Sequence, residues 1–324
     1  MFAEPTDEIP QRIGFVLIPN FSMIAFTSAI EALRLANRHA ERRLYDWRLL
    51  SVDGAAVAAS NGITLMPDGR ISELESYRTV IVCSGIDVER FDVGGVKGWL
   101  HRLDRLGADI GALCTGAHLL ARAGVLQGYR CTIHWENLSG FLEEFPDIEV
   151  STDLFEIDRN RFTCSGGTAA IDLMLYVIAK QHGEALATTV SEQLILDRIR
   201  DPHDRQRLPL GSRLRVNNPK LIEAIGLMES HLEDQLSQEH LARSVGLSRR
   251  QLERLFRRHL GRSPARYYLA LRLDRARLLL HQTDMSVIDV ALACGFISAS
   301  HFSKCYRQIY GRSPRAERTL PRVA

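Results

Sequence analysis

No two of the six cysteines (Cys83, Cys114, Cys131, Cys164, Cys294, Cys305) stand in C-x-x-C spacing, which argues against a zinc ribbon or a disulfide scaffold. No metal or other cofactor is therefore expected, and a reducing cytoplasm is the expected setting. Long apolar runs are missing as well. The most extended, near 173–179, falls far short of the roughly 20 residues that cross a bilayer, so no membrane partner is expected. Residues 1–11 lack both a basic start and an apolar stretch, and carry no signal-peptide pattern. Nothing in the composition points to disorder: 45% of the residues are hydrophobic and 25% charged, and 324 residues suit about two domains.

The near-neutral balance of +2 hides a division. Residues 212–324 hold 20 Lys+Arg against 10 Asp+Glu, whereas residues 1–211 hold 21 against 29. A polyanion would be drawn to one end of the chain and not the other.

From residue 12 to about 180, short strand-like runs (12–18, 46–52, 79–83, 109–113, 129–133, 153–157, 161–164) alternate with helical patterns (22–37, 96–106, 116–123, 138–145, 168–181). That alternation predicts a mostly parallel sheet with helices on both faces, an α/β domain of flavodoxin-like type. A further helix is expected over 183–199. The polar stretch after it, interrupted by Pro202 and Pro209, reads as a linker. The expected division is a sensing domain over 12–199, a linker over 200–218 and an all-α domain over 219–320.

The all-α part repeats itself at a period of about 50. Ala242, Gly246, Leu247, Ser248, Leu252, Phe256 and Gly261-Arg262-Ser263-Pro264 recur as Ala291, Gly295, Phe296, Ser298, Phe302, Tyr306 and Gly311-Arg312-Ser313-Pro314. The second copy has one extra residue in the turn. Each copy reads as helix, tight glycine turn, capped helix. Ser248 can cap with Gln251 completing a capping box, and Ser298 can cap its counterpart. The face left after the apolar stripe carries Arg250, Glu253, Arg254 and Arg257 in one copy and Ser300, Ser303, Lys304 and Arg307 in the other, a surface able to enter a major groove. A plain bundle with a basic surface would not explain two such copies.

These residues resemble the AraC/XylS family of regulators over about 219–318. The resemblance implies seven helices, two helix-turn-helix units and a long connecting helix over Pro264–Gln282 capped by Ser263. It also implies double-stranded DNA as partner, action as an activator, and base contacts from Arg250, Glu253, Arg254, Ala299, Ser300 and Lys304. Ala299 offers only a methyl group, so the second helix should read less and position more. One chain covers only one asymmetric half-site, so a homodimer is expected.

In the N-terminal part an apolar strand (109–113) runs into a helix through Cys114, Thr115 and Gly116. This is the arrangement of a nucleophile elbow, at the sheet edge where open α/β folds bind ligands. On the residues alone, Cys114 is either a buried small side chain or a nucleophile. The stretch from Gly111 to Gly116, the first strand and Thr132-Ile133-His134-Trp135 resemble the ThiJ/PfpI family within the class I glutamine amidotransferase-like superfamily, over about 12–180. The resemblance is narrower still to regulators of arginine, carnitine and glycine betaine catabolism, in which that domain is fused to an AraC-type domain. Enzymes of the family pair the cysteine with an acidic residue, which here falls near Ala25, and often with a histidine, where Thr115 stands. Glu31 is too far along the helix. Cys114 thus lacks an activating base, and binding rather than catalysis is expected. The alternative is a ThiJ/PfpI-type cysteine hydrolase or hydratase fused to a DNA-binding domain.

His134 and Trp135 should rise at the same edge, either as a packed ring and a surface imidazole or as ligand groups. Trp135 could meet a ligand cation with its ring face and Glu136 with countercharge, while the N–H groups at Thr115 and Gly116 suit a carboxylate. The expected effector site is Cys114, Thr115, His134, Trp135 and Glu136, and the expected effector an amino-acid-like or betaine-like molecule.

Overall fold

The structure, a computed structural model, describes residues 2–5, 9–73 and 77–319. Position 320, the last of the expected all-α span, and positions 1 and 6–8 of the stretch read for a signal peptide lie outside them. The chain divides into two compact units that meet between Gln206 and Arg207.

The first unit is built on β1 (Gln11–Leu17), β2 (Tyr45–Ser51), β3 (Val57–Ala58), β4 (Thr64–Leu65), β5 (Gly69–Arg70), β6 (Thr79–Cys83), β7 (Asp109–Leu113), β8 (Cys131–Thr132), β9 (Val150–Ser151), β10 (Phe155–Asp158) and β11 (Arg161–Cys164). Seven of them form one sheet in the order β10-β11-β7-β6-β1-β2-β5, parallel except for the β10–β11 pair. All five residues of β6 are buried, as a strand covered on both faces requires. Ile81 and Cys83 face one core with α1 (Met23–His39) and α5 (Ala169–His182); Val80 and Val82 face a second core with α2 (Gly94–Arg105) and α3 (Gly116–Ala123). The expected strand over 129–133 shrinks to β8. It pairs with β9 in a separate two-stranded sheet, because Thr132 donates its N–H to the Thr163 hydroxyl (2.8 Å) rather than to a main-sheet carbonyl. Helix α4 (Leu138–Glu144) follows.

The helix expected over 183–199 stops early. Helix α6 spans Glu184–Gln193, and Ile195 then adopts φ +56° while the Leu196 N–H closes onto the Ser191 carbonyl (3.1 Å). Residues 200–218 are likewise no free linker. Residues 200–206 hydrogen-bond to the first unit, while α7 (Leu210–Leu214) and Val216 pack into the second.

The second unit is helical: α8 (Pro219–Ser230), α9 (Gln238–Ser244), α10 (Arg249–Leu260), α11 (Pro264–Gln282), α12 (Val287–Ala293), α13 (Ala299–Tyr310) and α14 (Pro314–Arg318). It holds two small cores. One is centred on Leu252 and Phe256, the other on Phe302 and Tyr306, and α11 contributes to both. Among the described residues no helix is long and apolar enough to cross a membrane.

Candidate functional site

Helices α9 and α10 form one helix-turn-helix, α12 and α13 the other. Their turns pass through Gly246 (φ +64°) and Gly295 (φ +72°), conformations that a side chain opposes. The anticipated capping box is present: the Ser248 hydroxyl accepts the Gln251 N–H (3.3 Å) and the Gln251 amide oxygen accepts the Ser248 N–H (2.8 Å). Ser298 accepts the His301 N–H at 3.4 Å. Leu252 and Phe256, like Phe302 and Tyr306, are fully buried, which turns the opposite faces outward. Arg250 and Arg254 lie exposed on α10, and Ser300 and Lys304 on α13. Two proposed readers are less open. Ala299 is half-buried, and Glu253 accepts from Arg257 Nε at 2.9 Å in an i,i+4 ion pair.

One residue that orders this surface gave no sequence signal. Arg272 of α11 is buried and donates to the carbonyls of Cys294 (2.6 Å) and Gly295 (2.5 Å) and to Gln235 (2.8 Å), with its guanidinium 4.0 Å from the Phe296 ring centroid. It pins the second turn to the loop between α8 and α9. A buried guanidinium is tolerated there because each edge finds an acceptor.

In the first unit, β7 runs into α3 through Cys114, which takes φ +60°, a strained choice for a residue with a Cβ. The strain holds the sulfur at the carboxyl end of the sheet beside the start of α3. Its main chain is tied on both sides: its N–H donates to the Cys164 carbonyl (2.9 Å) and its carbonyl accepts the His134 N–H (3.4 Å). Burial pushes the thiol up to about 11, against the lowering effect of the Thr115 N–H and the Ser22 hydroxyl, with the Glu136 charge adding to the rise. The thiolate, which is the nucleophile, is therefore scarce at neutral pH. Ala25, at the family's acid position, is buried with its N–H on the Ser22 hydroxyl (3.4 Å), and Glu31 is engaged by Arg34 at 2.6 Å.

The other residues of the expected effector site lie beside Cys114. Thr115 is buried and its hydroxyl donates to the Gly85 carbonyl at 2.6 Å, so its side chain serves the fold and only its N–H faces the sulfur. His134 is half-buried, and burial lowers its pKa despite Glu136, whose carboxylate lies 4.0 Å away, so the imidazole is neutral at pH 7. Trp135 is 39% exposed, with its ring 5.5 Å from that of His134. Sequence reasoning missed Ser22 and Ser84. The Ser84 hydroxyl, just beyond β6, is buried without a partner, and the Ser84 carbonyl accepts the Ser22 N–H at 3.2 Å. Both follow strands at the point where the sheet order reverses, the one signal that could have found them.

The sequence matches the DJ-1/PfpI family over residues 11–180 and a helix-turn-helix domain over 241–319. It is 50% identical to the HTH-type transcriptional regulator GbdR of Pseudomonas aeruginosa over 314 residues, covering 97% of this chain and 86% of that one. It is 48% identical to the HTH-type transcriptional regulator CdhR of the same organism over 311 residues, 96% of this chain and 92% of the other. Among solved structures, an AraC family transcriptional regulator from Pseudomonas putida superposes with a TM-score of 0.54 at 31% identity, covering 57% of this chain and all of that one.

Proposed function

The chain belongs to the AraC-family transcriptional regulators that carry a DJ-1/PfpI domain, and from that premise we propose that its N-terminal unit senses a metabolite and catalyses nothing. The protein is a DNA-binding regulator. The proposed effector is a small amino-acid-like or betaine-like zwitterion. Its carboxylate would lie at the start of α3 near the Thr115 N–H, and its cation between the Trp135 ring and Glu136. A sensing domain carried past the expected 12–199 to residue 206, a DNA-binding domain that takes in α7 before the expected 219–320, cytoplasmic action as a homodimeric activator, and base contacts from Arg250, Glu253, Arg254, Ala299, Ser300 and Lys304 complete the proposal.

One observation carries the sensor reading. Cys114 keeps the strained elbow, yet burial holds its thiol at about 11 and no carboxylate stands at Ala25 to draw off its proton. The scaffold of a nucleophile persists without the means to ionise it, which favours binding over catalysis at the elbow. In the rival reading, a cysteine hydrolase or hydratase, the thiol would have to ionise on substrate binding.

The test uses two variants of the full chain. Cys114→Ala should preserve operator affinity. Cys114→Trp, which fills the site, should abolish the change that glycine betaine, carnitine or arginine produces in operator binding, with the second unit still folded. A Cys114→Trp protein that responds like the unmodified one would place the effector elsewhere. Turnover of an amide or aldehyde by the unmodified chain, lost in Cys114→Ala, would favour the enzyme.

A further inference from the structure

The last residues of the first unit, 200–206, are strapped over the two loops that frame Cys114. At one end the Arg200 N–H (2.8 Å), Nε (2.9 Å) and one terminal nitrogen (2.6 Å) donate to Asp172, and that nitrogen also donates to the Thr168 hydroxyl (2.8 Å). Asp172 is only 2% exposed, and Arg200 supplies the countercharge such a carboxylate needs. A cleft of about 310 Å³ opens beside this pair, bounded by Leu196, Asp197 and Arg198 as well. Midway, the Pro202 carbonyl accepts the Leu154 N–H and the Leu154 carbonyl accepts the Ser165 N–H, both at 2.8 Å. The next residue, Gly166, lies so close to the elbow that a Cβ there would meet the Cys114 Cβ at 2.7 Å.

At the other end the Gln206 amide nitrogen reaches the Thr132 hydroxyl (3.0 Å) and the carbonyls of Ile133 (3.1 Å) and Asp153 (2.9 Å). Ile133 immediately precedes His134, Trp135 and Glu136. The Gln206 amide oxygen is buried with no partner. Turning the amide over would not help, because Ile133 and Asp153 present carbonyls and the Thr132 hydroxyl already donates to Asp153 (2.9 Å). An unsatisfied buried oxygen makes this seating costly to hold, and no residue of 200–206 is fully buried to lock it.

We infer that Arg200 and Gln206 are coupling residues, through which the loops around Cys114 control the segment leading into the DNA-binding unit. A ligand that draws the 134–136 backbone toward the elbow moves the Ile133 carbonyl, and with it the Gln206 seat. Coupling is reciprocal, so releasing Gln206 must loosen 133–136 in return. The inference rests on the proposed effector site only for what drives the motion. The linkage itself can be measured with no ligand present.

Hydrogen exchange of the full chain provides the measurement. Gln206→Glu sets a carboxylate against two carbonyls and should unseat the strap; Gln206→Ala removes the donor and should act in the same sense, more weakly. The expected result is about tenfold faster exchange at 133–136 and 165–168 as well as at 200–206, with β1 and β6 unchanged. Acceleration confined to 200–206 in both variants overturns the inference. If Gln206→Glu prevents folding, Gln206→Ala decides alone. A second arm adds glycine betaine. Where it protects 133–136 in the unmodified chain, both variants should keep that protection yet lose the change in operator affinity. A change in operator affinity equal to that of the unmodified chain overturns the coupling role. Absence of protection in the unmodified chain counts against the effector reading for this probe, and the ligand-free arm still decides the coupling.

Discussion

The two helix-turn-helix units share a frame but not a surface. Both have a glycine turn at positive φ, a serine cap on the second helix and two fully buried residues four apart, Leu252 and Phe256 in one, Phe302 and Tyr306 in the other. The outward faces have diverged. Helix α10 carries Arg249, Arg250, Arg254, Arg257 and Arg258 with one acid, Glu253; α13 carries only Lys304 and Arg307. What recurs is what folds each helix-turn-helix, and what differs is the charge on its exposed face. On the proposed reading, the first helix-turn-helix does most of the base reading and the second mainly holds phosphates.

The largest effect that sharpens the comparison lies in the frame. A Cβ on Gly295 would come within 2.3 Å of the Glu233 carbonyl oxygen, whereas one on Gly246 would meet nothing nearer than the Lys220 ammonium at 3.5 Å. Gly246→Ala should therefore cost only the left-handed conformation, about 1 kcal/mol. Gly295→Ala adds a backbone clash and should cost about 3 kcal/mol. Urea unfolding of the full chain, with amide exchange read separately in α10 and α13, checks the order. Equal costs would mean that the turns are interchangeable and that Arg272 does not fix the second one.

The readers come next. Arg254→Ala should weaken specific binding by about 1–3 kcal/mol and relax preference at one position of the operator. Lys304→Ala should weaken binding to most sequences by about 1 kcal/mol or less, with a smaller loss of preference than Arg254→Ala, and lower the salt slope by about one. Footprinting at several salt concentrations separates the two. A loss of base preference in Lys304→Ala as large as that in Arg254→Ala would break the assignment of most reading to the first helix.

Features whose partners lie three or four residues apart were legible in the sequence. The Ser248–Gln251 capping box, the apolar stripes and the strand–cysteine–helix turn at Cys114 all announce themselves locally, and three strands and one helix were bounded to the residue. Features made by distant polar pairs were not. Arg200 finds Asp172 across 28 positions, Gln206 finds Ile133 across 73, and Arg272 finds Cys294 across 22. That is why 200–206 read as linker. The early end of α6 was hidden for another reason: Ile195 takes a left-handed conformation that its side chain disfavours, so its residue type signals the opposite.

The smallest expected effect concerns Glu253, the one acid on the first reader. In the second copy Ser303 stands at its position, so the pair with Arg257 has no counterpart at Arg307. An exposed i,i+4 pair contributes about 0.3–0.5 kcal/mol to its helix, too little to explain an acid facing a polyanion. Two roles remain physically open to it. As a base reader it would accept from the amino group of a cytosine; as a tether it would aim Arg257 at a phosphate. Glu253→Gln distinguishes them, because the amide keeps the size and an acceptor but discards the charge. If Glu253 reads a base, the variant should bind the original operator no more tightly, losing less than about 1 kcal/mol, and should accept a second base at one position. If it only tethers Arg257, removing a negative charge should raise affinity for every sequence alike, with preference intact. The expected outcome is the altered preference, measured by selection from randomised operators with both proteins at one salt concentration. A uniform gain would remove Glu253 from the set of readers and leave Arg250 and Arg254 as the residues that distinguish the first helix-turn-helix from the second.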